Sequence, residues 1–128
     1  MNKCMVKTAA ILLALAIILG ALGAHALEKA LSPHYVESFR TGVTYQFYAA
    51  FGLLIVALNQ DKFSFSLKNF YRLLIGGMIF FSCSIYILAT KELHGMPVKF
   101  LGPITPIGGV GMIAAWSLLA VKLFKKES

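Results

Sequence analysis

Four long stretches of the chain contain no charged residue and consist almost wholly of apolar side chains. Each is about as long as the roughly 20 residues that an α-helix needs to cross a hydrocarbon core of about 30 Å. The sequence therefore predicts an all-α membrane protein with four transmembrane helices in a compact bundle. The predicted spans cover about residues 8–27, 41–58, 73–90 and 101–121.

Composition supports the same class of protein. Of the 128 residues, 59% are hydrophobic and 13% are charged, whereas an average soluble domain has about 25% charged residues. The apolar stretches do not alternate in polarity, as the roughly 10-residue strands of a membrane β-barrel do. The loops and termini are too short to hold a second folded unit. We therefore predict one integral membrane domain over residues 1–128.

The basic residues predict how the chain is oriented in the membrane. With four crossings, both termini and the loop between the second and third spans share one side. That side holds eight Lys and Arg residues, and the other side holds four. Positive charge accumulates on the cytoplasmic side, so we predict that both termini are cytoplasmic.

The net charge of +7 does not indicate nucleic-acid binding, because the basic residues form no stripe with interleaved aromatic side chains.

The first span also has features of a secretory signal peptide. It ends in Ala24-His25-Ala26, which resembles a cleavage site of the A-x-A type. The apolar run is longer than the 7–15 residues of an ordinary signal peptide. We therefore expect this segment to be retained as a transmembrane helix.

Two segments of the sequence carry helix-start signals. Residues 28–40 have apolar side chains at helical spacing, and Ser32-Pro33 suits the beginning of a helix. This pattern predicts a short helix in the membrane interface between the first two spans. Near the start of the fourth span, we expect Thr105 to cap the helix and Pro106 to lie in its first turn.

Small residues at helical spacing predict where the helices approach one another. The hydrophobic effect does not drive helices together in lipid, so close backbone approach and van der Waals contact must do so. The same faces could also join copies of the chain in a homo-oligomer. The predicted packing residues are Ala16, Gly20, Gly23, Ala24, Gly108, Gly109, Gly111 and Ala115.

The polar residues inside the spans are the candidate site residues, and most lie in the half near the predicted outer side. No Asp, Glu, Lys or Arg occurs within the spans, which argues against a proton relay or an ion pathway. A polar cluster at that depth would either bind a small molecule or a lipid, or join the helices by hydrogen bonds worth about 0.6 kcal/mol each. The cluster consists of His25, Thr44, Tyr45, Gln46, Tyr48, Ser82, Ser84 and Thr105.

No motif in the sequence specifies a reaction, a cofactor or a metal site. His25 is the only histidine within a span, His34 and His94 lack metal-ligand spacing, and no serine lies in a G-x-S-x-G setting. We therefore predict a non-enzymatic structural or accessory protein without a cofactor. Its predicted partners are the lipid bilayer and other membrane proteins or further copies of itself. The alternatives are a protein that binds or transports a small molecule or lipid at the outer polar cluster, and a membrane enzyme.

Several runs of residues, in this order and spacing, resemble the bacterial domain-of-unknown-function family 423. They are Gly20-Ala21-Leu22-Gly23-Ala24-His25-Ala26-Leu27, Thr41-Gly42-Val43-Thr44-Tyr45-Gln46, Phe81-Ser82-Cys83-Ser84-Ile85-Tyr86, Gly102-Pro103-Ile104-Thr105-Pro106-Ile107-Gly108-Gly109, and Trp116. The family is in turn similar to a small mitochondrial transmembrane protein of animals. The resemblance covers nearly the whole chain and implies a multi-span protein of the bacterial inner membrane with no assigned activity.

The chain departs from the family pattern at three positions. Ala49 stands where the pattern usually has histidine, Cys83 where it tends to have glycine, and Ala115 where glycine tends to precede the tryptophan. A role that requires two intramembrane histidines is therefore not expected for this chain.

Overall fold

Four long helices make up most of the computed structural model, which describes the backbone of residues 1–127 and the side chains of residues 1–125. All four are long and apolar enough to cross a membrane, so the predicted fold class is confirmed. The first three begin earlier than the predicted spans, because the helices continue past their apolar stretches. The helices are α1 (Lys3–Ala30), α2 (Pro33–Leu58), α3 (Lys68–Ala89) and α4 (Ile104–Glu127).

The segment between the first two spans does not form a separate interfacial helix, so that expectation is wrong. Ser32 is the N-cap residue of α2, Pro33 lies in its first turn, and the helix continues from there without a break into the second span. Val36 and Phe39 are buried in a small core together with Leu27 of α1. These contacts hold the first turns of α2 against α1, and the segment therefore extends the spanning helix.

The beginning of α4 also differs from the expectation. The helix begins at Ile104, so Thr105 lies inside the first turn and is not the N-cap residue. The preceding Gly102 already has helical backbone angles, with φ −54° and ψ −53°. The hydroxyl of Thr105 lies 2.6 Å from the hydroxyl of Ser84 in α3 and 3.4 Å from the carbonyl oxygen of Leu101.

The four helices pack as two hairpins that meet through α2 and α3. Helix α1 packs mainly against α2, α4 packs against α3, and α2 and α3 form the contact between the two pairs. The larger core lies toward the end that carries the chain termini, and the smaller one lies at the opposite end. Fully buried side chains of the larger core include Leu53, Phe70, Leu74 and Met78.

Contact between α3 and α4 depends on glycine, because the two backbones touch. A Cβ atom on Gly77 would lie 2.6 Å from the backbone nitrogen of Met112. A Cβ atom on Gly108 would lie 2.6 Å from the Gly77 carbonyl oxygen and 2.8 Å from the Phe80 carbonyl carbon. Backbone atoms cannot rotate away as a side chain can. A wider, π-helical turn of α3 over Ile79–Cys83 lies beside this contact.

The predicted small residues of α1 face α2. Ala16 is fully buried, and a Cβ atom on Gly20 would make ordinary contact with an α2 side chain at 3.6 Å. Gly23 is tighter, because a Cβ atom there would lie 3.0 Å from the ring of Phe39. Ala24 is half-buried.

The predicted small residues of α4 have different surroundings. A Cβ atom on Gly111 would lie 3.1 Å from the Cα atom of Gly77, and Ala115 is fully buried. Gly109 is more open, since a Cβ atom there would meet only the ring of Phe81, at 3.7 Å.

Candidate functional site

Gln46 joins three helices through one buried amide. Its side chain is only 4% exposed. The amide nitrogen donates to the carbonyl oxygen of Leu12 in α1 at 2.8 Å, and the hydroxyl of Tyr86 in α3 donates to the amide oxygen at 2.6 Å. Both polar ends of the amide are therefore paired within the chain.

A second hydrogen bond joins α2 to α3. The hydroxyl of Ser82, which is fully buried, donates to the carbonyl oxygen of Gly42 at 2.8 Å. A Cβ atom on Gly42 would lie 2.7 Å from the ring of Tyr86. Glycine at this position therefore allows the Tyr86 ring to lie against α2 and reach Gln46.

A third polar contact joins α3 to α4. The hydroxyls of Ser84 and Thr105 are 2.6 Å apart, and Ser84 also donates to the carbonyl oxygen of Phe81 at 3.0 Å. That carbonyl belongs to the π-helical turn, where the regular hydrogen-bond pattern of the helix is interrupted. Ser84 therefore supplies a local hydrogen bond and a contact between helices at the same point.

The other predicted polar residues face outward, so the eight candidates are not brought together in one cluster. His25, Thr44, Tyr45 and Tyr48 are all exposed. The hydroxyl of Thr44 donates to the carbonyl oxygen of Arg40 in its own helix at 2.9 Å. In the described part of the chain, every buried side-chain nitrogen and oxygen has a hydrogen-bond partner.

An aromatic groove opens to the surface between α2 and α4. Its volume is about 360 Å³. The rings of Tyr45 and Phe81 meet edge to face with centroids 4.9 Å apart, and the Tyr45 and Tyr48 rings are 5.6 Å apart. The lining residues are Tyr45, Tyr48, Ala49, Leu74, Phe81, Gly109, Met112, Ile113 and Trp116.

Two small residues of α2 shape this groove. Ala49 is 2% exposed and lines the wall, so the position at which the chain departs from the family pattern belongs to the groove. The indole of Trp116 lies directly against Gly52, where a Cβ atom would collide with it. Trp116 is also 5.0 Å from the ring of Phe70, so it is held in place at the end of the groove.

Sequence reasoning missed the roles of three residues. Tyr86 is four residues after Ser82 and shares its helix face. This spacing could have indicated that both polar side chains face a neighbouring helix. Gly77 belongs to a tandem Gly76-Gly77 pair within an apolar stretch, which is a signal for close helix approach. Gly42 lies in one of the runs that resemble the family, but its role could not be inferred, because that role depends on where the Tyr86 ring lies.

The bundle and its paired interior define the class of the protein, which is a four-helix integral membrane protein. A family model described as "Protein of unknown function (DUF423)" matches residues 19–109. The chain belongs to this family.

The chain is also similar to bacterial membrane proteins along most of its length. It is 40% identical over 113 residues to the UPF0382 membrane protein YwdK of Bacillus subtilis, covering 87% of this chain and 88% of that protein. It is 41% identical over 106 residues to the UPF0382 membrane protein SH2409 of Staphylococcus haemolyticus, covering 83% of each. No solved structure matches the chain.

Proposed function

We propose that the protein is a non-enzymatic accessory protein of the bacterial inner membrane. Its groove between α2 and α4 receives a transmembrane helix of a partner protein. The observation that carries this proposal is the pair of tyrosine hydroxyls at the groove. Among the described residues, neither Tyr45 nor Tyr48 forms a hydrogen bond through its hydroxyl, although other hydroxyls of the spans do.

The depth of Tyr48 supports a partner within the membrane. At a rise of 1.5 Å per residue, Tyr48 lies about 12 Å along α2 from Arg40, the last charged residue before the span. That distance is close to half of a hydrocarbon core of about 30 Å. A hydroxyl at this depth gains most from a hydrogen bond to a polar side chain on another helix, since lipid tails offer none.

The packed interior supports an accessory role over a binding role inside the bundle. Gln46, Ser84 and Thr105 already bond to groups of the same chain. His25 is exposed. The groove is therefore the more suitable place for a partner, and a helix carrying Ser, Thr, Asn or Gln opposite the tyrosines would suit it. A lipid tail or a second copy of the chain is a competing occupant, and the experiment distinguishes them.

The test is native extraction of the tagged chain into polymer-bounded nanodiscs, followed by measurement of complex mass and composition. Gly109→Leu should fill the groove, because Gly109 lines it and a Cβ atom there would meet only the Phe81 ring, at 3.7 Å. Ala14→Leu is the matched control, since it adds the same side chain to an exposed position of α1. Helix content and monodispersity establish that both variants fold.

We expect a complex of fixed stoichiometry containing one defined partner for the wild type and for Ala14→Leu, and its loss for Gly109→Leu. A tagged chain without any associated protein in every case would contradict the proposal. If the complex persists in Gly109→Leu, the interface lies outside the groove. If the complex contains only copies of this chain, the occupant is a second copy and the protein is a homo-oligomer.

We further propose that both termini are cytoplasmic. The excess of basic residues on the side of the termini supports this orientation. A reporter active only outside the cytoplasm, fused to either terminus, should be inactive, whereas the same reporter inserted after His94, in the loop between α3 and α4, should be active. The reverse pattern would invert the orientation.

A further inference from the structure

The positive charge of the protein is concentrated at one end of the bundle. The end that carries the termini and the loop between α2 and α3 has eight Lys and Arg residues against two acidic residues, Asp61 and Glu127. The opposite end has four basic residues against three acidic ones. The end that carries the termini therefore attracts anions, and a site that binds a particular anion is expected there.

A pocket of about 420 Å³ opens at this positive end. It lies between the first turn of α1, the short turn after α2 and the first turns of α3. Lys68 and Arg72 line one wall, and they share a helix face because they are four residues apart. Gln60 contributes an amide, and the buried side chains of Met5 and Leu67 provide an apolar floor.

The two cations of this wall have no counter-ion in the described part of the chain. Neither Lys68 nor Arg72 forms an ion pair with a side chain of residues 1–125, where the one ion pair joins Arg40 to Glu28 at the opposite end of the molecule. Asp61 is exposed and does not line the pocket. The wall therefore presents two positive charges to whatever occupies the pocket.

We propose that this pocket binds the phosphodiester headgroup of an anionic phospholipid. The Arg72 guanidinium presents a planar set of donors that suits two oxygens of one phosphate, and the Lys68 ammonium adds a second charge. The pocket lies where α3 begins, and basic pockets at the ends of transmembrane helices suit anionic headgroups. The half-buried Tyr71 ring also lines the pocket and favours a lipid over free phosphate, because it offers apolar surface next to the charges.

The test measures binding of short-chain phosphatidylglycerol and of short-chain phosphatidylcholine to the full chain in micelles by native mass spectrometry. The pocket variant is Lys68→Gln/Arg72→Gln. The matched control is Lys3→Gln/Lys7→Gln. It removes the same amount of charge from two exposed positions at the same end of the bundle, and neither position lines the pocket. The conservative pair Lys68→Arg/Arg72→Lys shows whether charge is sufficient and whether the fold tolerates changes at these positions.

We expect the wild type to prefer phosphatidylglycerol and the pocket variant to lose affinity for it by about 30-fold, since each basic residue near an anionic headgroup contributes roughly a factor of five. The control should lose less than about threefold, and the conservative pair should retain the preference. Equal losses in the pocket variant and the control would overturn the proposal, as would equal binding of the two lipids by the wild type. Displacement of phosphatidylglycerol by an equal concentration of inorganic phosphate would overturn the assignment to a lipid.

Discussion

Replacement of Gly108 by alanine tests the backbone contact between α3 and α4. The new Cβ atom would lie 2.6 Å from the Gly77 carbonyl oxygen and 2.8 Å from the Phe80 carbonyl carbon, whereas ordinary contact begins near 3.4 Å. The obstacles are backbone atoms, so the clash is removed only if α4 moves away from α3 by on the order of 1 Å. This movement weakens the dispersion contacts between the two helices. Overpacking of this kind costs about 1–3 kcal/mol and occasionally more.

Gly109→Ala is the control, because it makes the same chemical change one residue later in the same helix. Its Cβ atom would meet only the edge of the Phe81 ring, at 3.7 Å, which is ordinary contact. Alanine favours helix over glycine by about 1 kcal/mol in both variants. This gain cancels when the two are compared, so their difference in unfolding free energy isolates the overpacking cost of about 1–3 kcal/mol.

The assay is reversible unfolding in mixed micelles, followed through Trp116. This residue is the only tryptophan of the chain, and it lies on α4 against α2 and the Phe70 ring. Its fluorescence therefore reports whether α4 is docked. The reasoning is refuted if Gly108→Ala and Gly109→Ala unfold with the same free energy within about 0.5 kcal/mol.

Two further predictions concern polar residues of the spans. Gln46→Leu and Tyr86→Phe should each lower the unfolding free energy. Because the two side chains share one hydrogen bond, a double-mutant cycle should give a coupling energy of about 0.6–1.7 kcal/mol. Additive effects of the two substitutions would contradict a shared bond. His25→Ala should change the unfolding free energy by less than about 0.5 kcal/mol, because His25 is exposed; a larger loss in the same assay would assign His25 a structural role.

The spanning helices could be predicted from the sequence because lipid imposes a strict requirement. Backbone groups cannot remain unpaired in hydrocarbon, so a long apolar stretch must form a helix. The start of α2 could not be predicted in the same way. An amphipathic segment suits both the interface and a helix extension, and the burial of Val36 and Phe39 against Leu27 decides between them.

The direction in which each candidate site residue faces could not be predicted from the sequence. Tyr45 and Gln46 are neighbours in the sequence at nearly the same depth, yet Gln46 is buried and Tyr45 is exposed. Which of them faces the interior depends on how α2 is rotated. That rotation is set by close contacts such as the one between Gly42 and Tyr86, which no spacing in the sequence reveals.

The most direct test of the proposed accessory role is photo-crosslinking from inside the groove. A benzophenone-bearing residue replaces Ile113 in the groove or Ile17 on α1; both positions are more than 60% exposed, and both tyrosine hydroxyls of the groove are kept. In native membranes, we predict one discrete adduct to a partner protein from position 113 and only lipid adducts from position 17. Identical adducts from both positions, or lipid alone from position 113, would contradict the proposal that the groove receives a partner helix.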